Sequence, residues 1–303
     1  MKSHGKVLYL LISAFFIAAT ATAAFAQTGK CSFQKLSFPP PATNGSPVAL
    51  NDLGGIAGTF GDSKNVSHGF LLYQGKLTTF MFPGSSGTTV TDMSRNGIIV
   101  GDFSVAGDPK VHHYMVHAGG FHEITLPGHS NADFTITGVN SNGDVVGTIN
   151  SETLPNKGYV LHNGKLTLLL VPGSDITLPT SINDQGVVVG GSLVELVNEN
   201  PAFIWKDGVF SNIVPPGSFG FVNATKVSNS GVAVGFFQSA DSNNNEGFAL
   251  ENGTYTNIGP PAGFENIVIL AVNKFDNILI EADQSTQQGV NTFLFKGFCA
   301  AAF

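Results

Sequence analysis

One cassette of about 45 residues, with the consensus Ile-Asn-Asp-x-Gly-x-Val-Val-Gly, recurs six times along this chain. Successive copies lie 43 to 46 residues apart. A period of this length is typical of repeat folds, in which each unit buries its apolar surface against its neighbours. One turn position marks the six copies: Gly54, Gly97, Gly143, Gly186, Gly231 and, in the last copy, Asp276.

Each cassette contains four short segments of strand-forming residues. An Asn-Asp-Gln-Gly turn ending at Gly186 separates the first two segments of the fourth copy, and Asp207-Gly208 separates the last two. Such residues favour the tight turns of β-hairpins. Four antiparallel strands per cassette predict an all-β fold, a six-bladed β-propeller of four-stranded antiparallel blades.

The sixth blade is divided between the two ends of the chain. A motif ending in proline marks the outermost strand, and its sixth copy lies at residues 33–39, whereas residues 270–296 supply only three inner strands. We therefore expect the N-terminal strand to complete the last blade and close the ring. Cys31 and Cys299 then become neighbours, and an oxidising compartment would join them in a disulfide. Two unrelated buried cysteines are the alternative.

Residues 1–26 have the features of a secretory signal peptide. Basic residues precede an apolar run over residues 7–21, and Ala24 and Ala26 supply a small-x-small cleavage site. The apolar run is shorter than the roughly 20 residues that span a bilayer. We expect cleavage near Ala26, a secreted or periplasmic bacterial protein without a membrane span, and a single propeller domain over residues 27–303, as a monomer.

The composition narrows the range of partners. The formal net charge is −7, whereas binding to nucleic acid requires a basic face. Nucleic acid is therefore not expected as a partner. The low content of charged residues, 12%, together with abundant glycine suits short strands and tight turns.

A second motif opens the third strand of each cassette. It resembles the His-Ala-Phe triplet of the extracellular HAF-repeat family of bacterial proteins, with the aromatic residue retained and the histidine often replaced. The resemblance implies a secreted, propeller-like repeat protein and no defined reaction, so it assigns no catalytic residue. The six copies are His68-Gly69-Phe70, His112-His113-Tyr114, Lys157-Gly158-Tyr159, Pro201-Ala202-Phe203, Glu246-Gly247-Phe248 and Asn291-Thr292-Phe293.

The connections between strands differ at the two ends of the blades. The first and third connections of each blade are tight hairpins, and we call the face that they share the tight-turn face. The second and fourth connections are longer and vary in chemistry, and they share the opposite, long-loop face. Because function is placed preferentially on loops of a rigid scaffold, we expect a binding site on the long-loop face.

Charged residues interrupt two repeat positions predicted to lie near the axis on that face. Asp92 and Lys226 each follow a threonine that we expect to open the innermost strand, at a position otherwise held by small residues. They lie three blades apart and hence across the axis. Asp102 and Glu281 share a second position. These four residues could hold a polar ligand. Charges that are merely hydrated in a water-filled channel, or that drifted neutrally, are the alternative.

Aromatic residues in the loops between blades are the other binding candidates. Phe134, Phe219, Phe221 and Phe264 are not required by the strand pattern. They could stack on sugar or pack against a partner. Loop aromatics also commonly pack against their own domain.

Histidines are concentrated in the second blade, but a metal site requires several of them to converge. His117 aligns with large residues of other blades and His122 lies on an outer strand, so only His112, His113 and His129 share the long-loop face. We predict no metal site and no cofactor.

We expect a non-enzymatic module that binds a protein, peptide or glycan on the long-loop face. No linear catalytic motif is present. The alternative is an extracellular polysaccharide hydrolase or lyase that uses Asp92, Asp102 or Glu281, since paired carboxylates have no linear signature. A structural component of the envelope is a third possibility.

Overall fold

The chain forms a six-bladed β-propeller of four-stranded antiparallel blades arranged in a ring, as the cassette predicts. The computed structural model describes residues 26–299 except 29–30, 118, 130–132, 151–155, 194–199, 242–243, 276 and 288. Residues 1–25, where the signal peptide is predicted, and the turn position Asp276 lie outside the described residues.

The chain enters the ring through two N-terminal strands that belong to the sixth blade. They are β1 (Ala26–Thr28) and β2 (Cys31–Lys35). The first three blades then follow in sequence order. Blade 1 contains β3 (Ser46–Leu50), β4 (Ile56–Gly61), β5 (Ser67–Tyr73) and β6 (Lys76–Phe80); blade 2 contains β7 (Gly87–Met93), β8 (Ile99–Ser104), β9 (His112–His117) and β10 (Gly120–Ile124); blade 3 contains β11 (Asp133–Phe134), β12 (Gly138–Val139), β13 (Val145–Asn150), β14 (Lys157–His162) and β15 (Lys165–Leu169).

The remaining strands complete the ring. In blade 3 the innermost strand is divided into β11 and β12, both paired with β13. In the sixth blade the C-terminal strands meet the N-terminal pair. Blade 4 contains β16 (Ile176–Ile182), β17 (Val188–Leu193), β18 (Ala202–Lys206) and β19 (Val209–Ile213); blade 5 contains β20 (Ser218–Val227), β21 (Ala233–Ser239), β22 (Asn245–Glu251) and β23 (Thr254–Ile258); blade 6 contains β24 (Glu265–Val272), β25 (Asn277–Thr286) and β26 (Gly289–Cys299) with β2 and β1.

The ring is closed between the two ends of the chain. Strand β2 pairs with β26 in a register that places Cys31 opposite Cys299, and the two cysteines form a disulfide across 268 residues. Strand β1 adds a fifth strand at the outer edge of this sheet. The predicted completion of the last blade by the N-terminus and the predicted disulfide are both confirmed.

The hydrophobic core lies between neighbouring blades. Apolar side chains form six clusters. In one of them, Ala49 and Ala57 of blade 1 pack with Val90 and Tyr114 of blade 2. A blade thus buries its faces only against its neighbours, which explains why the apolar positions recur in every copy. No helix in the described part of the chain has the length and apolar character needed to cross a membrane.

The glycine that ends the Val-Val-Gly portion is needed for close packing within the blade. A Cβ atom on Gly147 would lie 1.8 Å from the carbonyl oxygen of Thr135 on the innermost strand. The aromatic residue of the His-Ala-Phe-like triplet covers this contact, and the Tyr159 hydroxyl donates a hydrogen bond to the same carbonyl at 2.8 Å. Burial raises the pKa of Tyr159, so this hydroxyl stays protonated as a donor. The two motifs are therefore parts of one packing unit.

The Asn-Asp pair of the cassette joins neighbouring blades on the tight-turn face. The Asn183 side-chain oxygen accepts a hydrogen bond from the Val187 backbone N–H at 2.9 Å, which fixes the turn. Its amide nitrogen donates to the Ser228 carbonyl of blade 5 at 3.0 Å. Asp184 accepts from the Ser141 backbone N–H of blade 3 at 2.8 Å. Equivalent hydrogen bonds join two other pairs of blades: the Asn140 side-chain amide donates to the Asn183 carbonyl, and the Asn273 side-chain amide donates to the Asn51 carbonyl.

Candidate functional site

Asp92 and Lys226 meet directly across the central channel. The Asp92 Oδ1 atom lies 2.5 Å from the Lys226 Nζ atom, and the two side chains are only 6% and 13% exposed. The second Asp92 oxygen accepts a hydrogen bond from the Val139 backbone N–H of blade 3 at 3.1 Å. The pair therefore connects opposite blades at a buried point, where each charge is compensated by the other.

The position of Asp92 and Lys226 along the channel axis differs from the expectation that they lie on the long-loop face. The threonines before the two residues, Thr91 and Thr225, do not open the innermost strands. They lie at bulges within strands that begin earlier, at Gly87 and Ser218. The two charges consequently lie near the strand ends that lead into the tight turns, rather than on the long-loop face.

A small cavity of about 60 Å³ separates the ion pair from the tight-turn face. Charges of alternating sign surround it. Arg95 lies 3.1 Å from the Asp184 carboxylate and 3.9 Å from that of Asp52, which also lies 3.9 Å from the Lys274 ammonium group. A space of this size holds only a few water molecules.

A wider funnel of about 410 Å³ lies in the channel on the long-loop side of the ion pair. Two of its threonines use their hydroxyl groups within the ring: Thr137 donates to the Pro179 carbonyl and Thr180 to the Ala224 carbonyl, both at 2.6 Å. The funnel wall is therefore largely apolar. The lining residues are Val48, Val90, Thr91, Ile136, Thr137, Thr180, Asn223 and Thr225.

A larger cavity of about 460 Å³ lies on the long-loop face between blades 2 and 3, and we call it the blade 2–3 pocket. Three separate segments form it. They are the loop before β9 together with its first residues, the end of β10, and the first strand of blade 3. The lining residues are Pro109, Lys110, Val111, His112, His113, Glu123, Ile124, Thr125, Asp133 and Phe134.

His113 connects two of the predicted site residues at the floor of this pocket. Its Nδ1 atom lies 2.7 Å from the Asp102 Oδ1 atom, and its ring centroid lies 4.1 Å from that of Phe134. The His113 side chain is 4% exposed. Asp102 was predicted as a charged site residue and Phe134 as a loop aromatic, and both contact His113.

His112 forms the wall of the pocket. Its two ring nitrogens lie 2.9 Å from a Glu123 oxygen and 3.1 Å from an Asp108 oxygen, and its ring stacks on Phe103. The hydrogen bond to Glu123, helped by the one to Asp108, raises the pKa of His112 above its usual value of 6.5. The wall is therefore a hydrogen-bonded chain in which two carboxylates flank one histidine and favour its protonated form.

A related cavity of about 380 Å³ lies between blades 5 and 6, and we call it the blade 5–6 pocket. Asparagines dominate it. The Asn257 side-chain amide donates to the Glu246 carboxylate at 2.5 Å, and Phe264 forms part of the wall. The lining residues are Asn244, Asn245, Glu246, Asn257, Gly259, Pro260, Phe264, Glu265 and Asn266.

The other predicted site residues are not brought together. Glu281 lines neither of these two pockets, and burial, with the nearby Asp283 carboxylate, raises its pKa. Phe219 is 67% exposed. Phe264 and Phe221 make edge contacts within the domain, with ring centroids 4.9 Å from Phe295 and 5.9 Å from Phe236 respectively.

Most of the polar side chains that line the blade 2–3 pocket have no distinguishing signal in the linear sequence. Lys110, Glu123 and Asp133 were not singled out, and His112 and His113 were considered only as metal ligands. In the described residues, no group of three His, Cys, Asp or Glu side chains is arranged to hold a metal ion. The His112–Glu123 pair could have been found from the register of the β9–β10 hairpin, which places Glu123 next to this end of β9.

Comparisons with known proteins agree with the fold. Three propellers cover most of this chain at 10–11% identity: the propeller domain of the trilobed protease of Pyrococcus furiosus, TolB of Acinetobacter baumannii and the acylaminoacyl peptidase of Pyrococcus horikoshii. In that order, their TM-scores are 0.56, 0.54 and 0.51. The matched regions cover 89%, 80% and 91% of this chain. They cover 95%, 64% and 52% of the three matched chains. No protein-family model and no curated protein matches the sequence. At this identity the comparisons show the fold alone.

Proposed function

We propose that this protein is a non-enzymatic binding propeller that recognises a glycan through the blade 2–3 pocket. The pocket lining carries the proposal: His113 and Phe134 pack together there, and Asp102 holds the His113 ring from behind. A volume of about 460 Å³ suits a small ligand or one sugar unit of a chain.

The chemistry of the lining favours a hydroxyl-rich ligand. Glu123 and Asp133 accept hydrogen bonds and Lys110 donates them, whereas sugar hydroxyl groups can do both. Phe134 and Val111 add apolar surface of the kind that packs against the C–H face of a sugar ring. This combination of apolar surface with a few polar groups is typical of small-molecule binding sites.

The polysaccharide hydrolase or lyase proposed as the alternative has less support. It needs at least two of the candidates Asp92, Asp102 and Glu281 to converge on one substrate. Asp92 is paired with Lys226 and Asp102 with His113, while Glu281 lines neither inter-blade pocket. Each candidate carboxylate therefore has a different environment, and none of the contacts in the described chain joins two of them.

Binding to a glycan array is the test of this proposal. The full chain, exported to an oxidising compartment, should bind a defined set of glycans, and Lys110→Ala or Glu123→Gln should weaken that binding by about tenfold or more, because each removes a hydrogen bond to a charged group. Lys76→Ala, on the tight turn of blade 1, is the matched control and should bind normally. Unchanged binding in both pocket variants would exclude the blade 2–3 pocket. Polysaccharide turnover that is lost in Asp102→Asn would favour the enzyme.

We also propose that the protein is exported and that it is a HAF-repeat protein. The Cys31–Cys299 disulfide suits an oxidising compartment. The aromatic residue of the triplet packs against the strand glycine in four copies: Phe70 on Gly58, Tyr114 on Gly101, Tyr159 on Gly147 and Phe248 on Gly235. N-terminal sequencing of the exported protein should give Gln27 as the first residue, and an intact Met1 would refute cleavage.

A further inference from the structure

We infer that the blade 5–6 pocket is a second glycan-binding site that takes a neutral sugar unit, so that the long-loop face carries two different sites. This inference rests on the proposed function for its ligand class, but its evidence comes from another part of the ring.

The two pockets occupy the same place in the repeat. His113 pairs with Ile124 in blade 2, and Gly247 pairs with Ile258 in blade 5, so Glu246 corresponds to His112 and Asn257 to Glu123. The following blade contributes the rest of both pockets from the start of its innermost strand. The cassette therefore builds this cavity twice from equivalent segments, three blades apart.

One cross-strand contact is retained with different chemistry. In the blade 2–3 pocket, His112 and Glu123 form a hydrogen bond of 2.9 Å. In the blade 5–6 pocket, the Asn257 amide donates to Glu246 at 2.5 Å. A histidine–carboxylate pair is thus replaced by an amide–carboxylate pair at the same position, so the wall is kept without a basic side chain.

Asn266 fixes the blade 5–6 pocket between its two blades. Its side-chain oxygen accepts a hydrogen bond from the Asn245 backbone N–H at 2.9 Å, and its side-chain nitrogen donates to Asp283 at 3.2 Å. Asn266 adopts φ 52° at a bulge between Glu265 and Ile267. Asparagine is one of the few residues that tolerate this left-handed conformation. The first residue of β22 is therefore tied to the innermost strand of blade 6.

The lining selects against anionic ligands. Among the described residues that line the pocket, four are asparagines and two are glutamates, and none is a lysine, arginine or histidine. Amides donate and accept hydrogen bonds, and carboxylates accept them, which matches the hydroxyl groups of a neutral sugar. Phe264, held by edge contacts at 5.5 Å to Phe293 and 4.9 Å to Phe295, supplies a rigid apolar wall. An acidic sugar would meet the repulsion of Glu246 and Glu265.

Two such pockets on opposite sides of one face would act together on a long or repeated ligand. Binding of the second unit becomes intramolecular once the first unit is bound, provided that the ligand can reach both sites. Affinity for a polymer would then exceed that of either site for a single sugar.

Titration of the exported full chain by NMR tests the inference. The probes are glucose, galactose, mannose and N-acetylglucosamine as neutral sugars, with glucuronate as the anionic comparison. At least one neutral sugar should shift side-chain amide signals of the blade 5–6 pocket, and Asn257→Ala or Glu246→Gln should weaken that binding tenfold or more. Glucuronate should shift none of these signals. Asn212→Ala is the matched control, because Asn212 holds the same repeat position in blade 4 and lines neither inter-blade pocket.

Variants of the two pockets separate the two hypotheses. If neutral-sugar binding survives Lys110→Ala but is lost in Asn257→Ala, the second site is established even where the blade 2–3 pocket fails. Binding that is lost only in Lys110→Ala, or glucuronate binding at Asn257, would overturn the inference. With both sites intact, binding to an immobilised neutral polysaccharide should be roughly a hundredfold tighter than in either single-site variant.

Discussion

The tight-turn face and the long-loop face of this propeller use the repeated sequence in opposite ways. On the tight-turn face, the side chains of Asn183 and Asp184 form hydrogen bonds with their own turn and with adjacent blades. The cavity there holds about 60 Å³. Between blades on the long-loop face, pockets of about 460 and 380 Å³ are lined by residues that differ from copy to copy. Positions that recur therefore join the blades into a ring, and positions that vary shape the inter-blade pockets.

The largest expected effect comes from breaking the cross-channel ion pair on the tight-turn side. Asp92→Ala should destabilise the protein by about 3 to 5 kcal/mol, because Lys226 would be left as an uncompensated buried charge. Denaturant unfolding measures this loss. The Asp92→Ala, Lys226→Met double variant should recover most of it, since the unpaired charge is removed.

The inter-blade pockets should be unaffected by this change. If the Asp92→Ala variant is still folded and binds glycans normally, the two faces are independent. A large loss of affinity in a folded variant would show instead that the channel charge takes part in recognition.

A smaller effect is expected from the turn asparagine. Asn183→Ala should lower the free energy of unfolding by about 2 kcal/mol, because the Val187 N–H of the turn loses its acceptor and the Ser228 carbonyl of blade 5 loses its inter-blade donor. The Ser228 carbonyl keeps the hydrogen bond from the Gly231 backbone N–H of its own turn. Asn212→Ala, on an exposed outer strand, should change stability by less than about 0.5 kcal/mol. Equal midpoints of unfolding for the two variants would contradict the structural role given to the cassette.

The smallest effect concerns pH on the long-loop face. The pKa of His112 is raised in the folded protein by Glu123 and Asp108, so its favourable interaction is fully present below the unfolded value of about 6.5. It is lost as pH rises through the folded value. The difference in melting temperature between wild type and His112→Gln should therefore shrink above this range. Asn212→Ala, which removes no titratable group, is the control and should show a constant offset across this pH range.

The ring was predictable because its signals are local. Asn-Asp-x-Gly turns and the strand pattern identify the blades, and Cys31 and Cys299 fall at matching positions around the shared sixth blade. The position of Asp92 along the channel axis was not predictable in the same way. The threonine that seemed to begin the innermost strand is the extra residue of a bulge, and a bulge has no distinct sequence signature here.

The two inter-blade pockets could not be predicted from the sequence for a different reason. The blade 2–3 pocket joins Lys110, Glu123 and Phe134, which lie on three segments and two blades. Repeat alignment compares equivalent positions in different copies, whereas a pocket depends on different positions in neighbouring copies. Only the hairpin register that brings His112 to Glu123 offered a route from sequence to site.

The disulfide also determines how this protein would respond to mechanical tension. Cys31 and Cys299 lie close to the two ends of the chain and are joined covalently. A pull on both ends would pass from one cysteine to the other through the sulfur atoms, and the 268-residue loop that contains almost the whole propeller would carry none of the load. Stretched between two anchors, the protein would keep its propeller folded under force until that disulfide is reduced.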